Sequence, residues 1–208
     1  MPEKNLPANY AEYRHQNFTR DSMAYLSNNI LIAVMLIFFY VIFSRYTQAA
    51  RTDFQPIEFL ALQGWEFLWI LILMVGVMFA HEGVYWLSLK LFGASDAVFV
   101  IKGITPHAMA AKTYFKKWPF VLAKLMSIIV ISVVYLLLAP VIPLGWIEMA
   151  LYFFAGNVAY GTTDLIAIFE AIRGPRNVRV EDLGENVLFY ADKEYVKKLR
   201  AKKGLPSK

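Results

Sequence analysis

Four long apolar runs divide the chain, and polar stretches separate them. The first run extends from Ser22 to Ser44 around "ILIAVMLIFFYVIF", with no charged residue between Asp21 and Arg45. The second begins near Trp65 and continues through "FLWILILMVGVMFAHEGVYWLSLKLFG". The third, "WPFVLAKLMSIIVISVVYLLLAPVIPLG", starts at Trp118, and the fourth, "WIEMALYFFAGNVAYGTTDLIAIFEAIRG", at Trp146. Each supplies the roughly 20 residues that a membrane-crossing helix requires. Trp65, Trp118 and Trp146 stand near the ends of runs, where amphipathic indoles anchor at the lipid–water boundary.

The polar stretches differ from one another. "VFVIKGITPHAMA", Val98 to Ala110, is rich in β-branched residues and turns around Gly103 and Pro106. "NVRVEDLGENVLFYAD", Asn177 to Asp192, reads as two short strands joined at "LGEN". The closing "KEYVKKLRAKKGLPSK" is a basic tail, either a solvated helix or a disordered end, suited to touching anionic lipid. The opening "MPEKNLPANYAEYRHQNFTRDS" is polar and mixed in charge, and it lacks the basic-then-apolar order of a cleavable signal peptide.

Composition supports a membrane protein. The 208 residues are 58% hydrophobic and 16% aromatic, more apolar surface than a soluble domain of this size can hide. Cysteine is absent, which excludes disulfides and thiolate metal sites. The net charge of +5 does not point to nucleic acid, because the basic residues flank the apolar runs. Three lie in the N-terminal arm, two (Arg45 and Arg51) in the first loop, five in the second, none in "VIPLG", and ten from Arg173 onward. With four crossings, this asymmetry places both termini in the cytoplasm. The expected fold is therefore mostly α: a polytopic membrane protein of about four transmembrane helices with short cytoplasmic β-hairpins. Its parts are an N-terminal arm (1–21), a membrane domain (22–173) that includes a cytoplasmic hairpin (97–112), and a cytoplasmic hairpin with basic tail (174–208).

Chemistry concentrates in "FAHEGVYW", where His81 and Glu82 interrupt an apolar run, and in "GNVAYGTTDL", where Asp164 does so. Ionisable groups at such depth face a partner or a wet cavity. His81 precedes Lys90 by nine residues, and Asp164 precedes Arg173 by nine. At about 1.5 Å per residue, both lie roughly 13 Å below the same membrane face. If their helices are neighbours, the two groups can meet. His81 and Tyr85 are spaced i, i+4 and share a helix face; Asn157, Gly161 and Asp164 share another, on which Gly161 allows close helix approach.

"HEGVYW", then "VFVIKGITPHAMA", then "LLLAP", then "NVAYGTTDL" together resemble the membrane-embedded zincin-like metallopeptidases, a family related in plan to site-2 proteases. The resemblance covers roughly Trp65 to Tyr190. It implies zinc, with His81 and Asp164 as ligands, Glu82 as the general base, and Asn157 and Gly161 shaping the site. The family pattern HExxH carries a second His where this chain has Tyr85, a poor zinc ligand in its neutral form. His107 is a conceivable replacement from the hairpin, though a loop role suits it better.

Two readings follow. One is a membrane metallopeptidase that hydrolyses peptide bonds near the cytoplasmic face, with a peptide or membrane protein as substrate and the strand at 98–110 pairing with it. The other is an inactive pseudoprotease that binds or regulates a membrane partner. In that case His81, Glu82 and Asp164 form a polar network, Tyr85 donates to Glu82 or Asp164, and Lys124 snorkels to the interface. A proton or ion path is a third reading, weakened by the lack of an inverted repeat.

Overall fold

The structure is a computed structural model, which describes residues 2–17, 22–55 and 64–202; within these, the side chains of 22–25 and 64–67 are not described. The interface role expected of Trp65 lies outside the described side chains.

The apolar runs fold as helices. α1 spans Ser22–Ala50, α2 Gly64–Leu91 and α3 Lys117–Leu138. Each contains a stretch long and apolar enough to cross a membrane: Leu26–Ala50, Leu68–Leu91 and Lys117–Leu138. Their outward faces carry exposed Leu, Ile, Val and Phe, as in Ile30, Val34 and Phe38 of α1 and Leu68, Leu71 and Ile72 of α2. Apolar residues so exposed require a lipid solvent rather than water.

The fourth run departs from a single crossing. It divides into α4, Leu144–Tyr160, and α5, Thr162–Arg173, with Gly161 at the joint. At 17 residues, α4 is about 26 Å long, short of a full crossing by itself. The break is local, because the N–H of Gly161 still reaches the Asn157 carbonyl at 3.0 Å and the N–H of Leu165 reaches the Gly161 carbonyl at 2.9 Å. A Cβ at Gly161 would lie 2.7 Å from Ile128 Cδ1 and 3.1 Å from His81 Cε1. The missing side chain thus lets α2 and α3 close on the joint.

The polar stretches build two sheets. β2 (Val98–Lys102) and β3 (Thr105–Met109) form an antiparallel hairpin, turned at Gly103 with φ +64°. The second sheet is antiparallel with order β1-β6-β5-β4, from Tyr10–Asn17, Asn186–Asp192, Arg179–Asp182 and Phe115–Lys116. β1 comes from the N-terminal arm, which its polar sequence had not marked as a strand. The tail forms α6, Lys193–Lys202, with Val196 buried.

Two apolar clusters hold these parts together. One joins α1, α3 and α4 through Tyr40, Phe43, Tyr135, Leu151 and Ala155. The other joins α2, α3 and α5 to the sheets through Tyr85, Leu89, Phe120, Ala167, Val180 and Phe189. The β2–β3 hairpin folds back along α2 instead of standing beyond its end. Trp86 Nε1 donates to the Ala97 carbonyl at 3.0 Å, and the Phe99 ring lies 6.2 Å from that of Phe79. Turn by turn, the hairpin is carried to the level of His81.

Candidate active site

His81 is fully buried on α2 and engaged through both ring nitrogens. Nδ1 lies 2.9 Å from Asn157 Oδ1 on α4. Nε2 lies 2.9 Å from Asp164 Oδ2 on α5 and 3.0 Å from Ser127 Oγ on α3. The orientation of the Asn157 amide is set by its other end, where Nδ2 faces the carbonyls of Ser127 and Ile128 at 3.5 and 3.4 Å. Ser127 spends its own proton on the Lys124 carbonyl at 3.0 Å. Each partner of the imidazole is therefore an acceptor, and the ring satisfies them when both nitrogens carry a proton.

Beside this group lies a buried cation. Lys124, on α3, is 5% exposed, so it does not snorkel to the interface as its place in the sequence suggests. Its Nζ bridges Asp164 Oδ1 at 2.8 Å and Asp182 Oδ2 at 2.9 Å, and it rests 3.9 Å from the centre of the Tyr85 ring. Tyr85 donates its hydroxyl to Asp182 Oδ2 at 2.6 Å, not to Glu82 or Asp164. Asp182, at the end of β5, also accepts from the N–H of Gly184 at 2.8 Å. Gly184 holds φ +80°, and a Cβ there would come 3.1 Å from that of His107. The glycine thus lets the β5–β6 turn close against the hairpin.

Glu82 has neutral partners. Its Oε2 accepts the N–H of Ala108 at 2.7 Å, and its Oε1 accepts the Tyr160 hydroxyl at 3.2 Å. On β3 the N–H of Ala108 is taken by Glu82 and Pro106 has none to offer, and just beyond the strand the N–H of Ala110 is taken by the Asp182 carbonyl. β3 is therefore not an open edge for an extended peptide. His107 lies on β3, not in a loop, 3.7 Å from Glu185; burial holds its pKa below the usual imidazole value.

The structure thus brings His81, Asn157, Gly161 and Asp164 into one centre, with Glu82 one position further along α2 and Tyr85 attached through Asp182. Sequence reasoning missed Lys124 as a buried partner, and it missed Asp182, Ser127 and Tyr160 altogether. One signal was present for the first: Lys124 is the lone charged residue between Lys117 and Glu148.

A family described as "Putative zincin peptidase" matches residues 71–179. The chain belongs to that family. The match begins on α2 ahead of His81 and ends at the start of β5, just short of Asp182. No curated protein and no solved structure gives a significant match.

Membership in the zincin peptidase family implies zinc, and the donor set can be tested against that ion. A catalytic zinc takes three protein ligands and leaves a position for water. Among the described residues, no group of three or more His, Asp or Glu is placed to hold a metal ion. Both oxygens of Asp164 are committed, one to His81 and one to Lys124. Both nitrogens of His81 face acceptors, and Tyr85 supplies a hydroxyl directed to Asp182. These residues, as arranged, do not fit zinc.

Proposed function

We propose that this member of the zincin peptidase family is a membrane-embedded binding protein in which peptide hydrolysis has been lost. One observation carries the reading: the Lys124 ammonium lies on Asp164 and Asp182, within 2.9 Å of each, in the part of the fold where the family plan calls for a metal ion. A resident ammonium neutralises the carboxylates but offers no open position for water, and it has no Lewis acidity. Tyr85 in place of the second His fits the same change. Its hydroxyl helps hold Asp182 against Lys124, a task that an imidazole ligand directed at zinc would not perform. Glu82, the general base of the family plan, is occupied with positioning β3 through the N–H of Ala108.

The proposal extends to topology. The three apolar helices and the broken α4–α5 segment make four crossings, with both termini on the cytoplasmic side as the Lys and Arg distribution requires. The family's ordinary activity, peptide hydrolysis at that face, is the competing reading and rests on membership.

Metal analysis of the full chain, purified in detergent and offered zinc, separates the two. The expected result is far below one zinc per chain in wild type, His81→Ala and Asp164→Ala alike. About one zinc per chain in wild type, lost in both variants, overturns the proposal and restores the hydrolase.

A further inference from the structure

A cavity of about 410 Å³ opens beside the centre, bounded by α1, α2, α5, the β2–β3 hairpin and the β5–β6 turn. That volume suits a small organic group. Among its lining residues are Asn28, Glu82, His107, Tyr160, Asp164 and Glu185.

The wall is rich in acceptors. Glu82, Asp164 and Glu185 contribute carboxylates, and Asn28 contributes an amide oxygen. Asn28 is 9% exposed, and its Oδ1 has no hydrogen-bond partner among the described residues. A buried acceptor left without a donor is costly, so the position favours a ligand that donates.

The balance of charge points the same way. Three buried carboxylates, Glu82, Asp164 and Asp182, stand against one buried ammonium, Lys124, and the His81 imidazole. Lys124 answers Asp164 and Asp182, and His81 adds to Asp164. Among the described residues, Glu82 accepts from two neutral donors, the N–H of Ala108 and the Tyr160 hydroxyl. A carboxylate accepts about four hydrogen bonds, so Glu82 retains room for two more. The basic residues on the wall and beside it do not supply them. Lys124 is already bridged, and His107 is held towards its neutral form by burial. Lys102 leans on Glu185, with Nζ 3.4 Å from Oε1.

We propose that this cavity binds a ligand bearing a guanidinium or primary ammonium group, which donates to Glu82 and to Asn28 Oδ1. The inference rests on the metal-free reading of the centre, which leaves the free acceptor positions of Glu82 facing the cavity.

The test uses detergent-purified full chain and millimolar n-butylguanidinium or n-butylammonium, read as the shift in thermal unfolding midpoint. n-Butylurea keeps the shape without the charge, and tetramethylammonium keeps the charge without a donor. The expected result is a saturable rise with the two donor cations and none with the controls. Half-saturation should move up about tenfold or more in Glu82→Gln, the scale of one hydrogen bond to a charged group. Asn28→Leu, which leaves the buried ionic centre intact, should weaken the rise as well. No saturable rise, or an equal rise with tetramethylammonium, overturns the inference. Nanodiscs of an amine-headed phospholipid against a choline-headed one then assign the source. Stabilisation by the amine-headed lipid identifies a headgroup, and stabilisation by the small cations alone excludes one. Metal content is measured on the same preparation. Stoichiometric zinc removes the binding-protein reading and this inference together, whereas an unresponsive metal-free protein removes only this one.

Discussion

At the scale of single residues, the molecule turns on Lys124. An ammonium leaves water at a cost of several kcal/mol, and only close carboxylates offset it. Lys124 has two, and Asp164 and Asp182 in turn depend on it. Removing one member of such a buried group leaves its partners uncompensated, a loss of about 3–5 kcal/mol. Lys124→Met should therefore lower stability by that amount, read from unfolding of the full chain in detergent. Adding Asp182→Asn should cost much less than the sum of the two single changes, because the second carboxylate no longer stands unpaired. A loss under about 1 kcal/mol for Lys124→Met would show that the bridge does not hold the centre together. The sequence disclosed half of this arrangement. His81, Asp164 and Asn157 were legible because each is polar within an apolar run, and helix rise placed two of them at one depth. Asp182 was not legible. It lies in an ordinary polar strand, and only the fold carries that strand back to α2.

At the scale of elements, apolar length and β-branched runs made the helices and both hairpins readable. The break at Gly161 escaped because "GNVAYGTTDL" keeps a helical pattern through it, and the close approach of Ile128 and His81 to the joint is a contact between distant segments. β1 escaped for a related reason. It is polar and pairs with β6, far along the chain. The N-terminal arm is also clamped to the sheet. Glu3 exchanges two backbone hydrogen bonds with Tyr114 and receives the Arg179 guanidinium at 2.8 and 2.9 Å. The hydrogen bonds from Arg179 hold the Glu3 carboxyl below its ordinary value of 4.5. The folded chain thus releases this proton more readily than the unfolded chain. The clamp contributes fully above about pH 4.5, and its contribution is lost as pH falls through the lower folded value. Glu3→Gln should accordingly flatten the acid side of a plot of unfolding midpoint against pH while leaving its shape near neutrality unchanged. An unaltered acid limb would mean that the clamp adds nothing.

At the scale of the whole molecule, contacts sort the connecting segments into two groups. β1 pairs with β6, which brings the N-terminal arm and the C-terminal segment to one end of the helices. The β2–β3 hairpin and β4 belong to that end as well, through Ala110 to Asp182 and Phe115 to Val180. At the other end, Arg51 after α1 donates to the carbonyl of Ile142, which joins the first loop to the third. This grouping agrees with the distribution of Lys and Arg, which crowds the first end and almost vacates the second. Because the chain has no cysteine, single-cysteine labelling can test the arrangement without background. Ala49→Cys and Val141→Cys stand on exposed positions of the sparse end, and Lys198→Cys on an exposed position of α6. In intact cells, a membrane-impermeant maleimide should label the first two and reach the third only after permeabilisation. If Lys198→Cys reacts from outside together with Val141→Cys, the α4–α5 segment does not cross and the four-span topology fails. If Ala49→Cys and Val141→Cys fall on different sides, the fault lies earlier, between α1 and α3. The broken helix matters to that outcome for a physical reason. α4 is too short to span unaided, so a crossing requires α5 to carry the chain onward, past Asp164 and the ionic centre that secures it against α2 and α3.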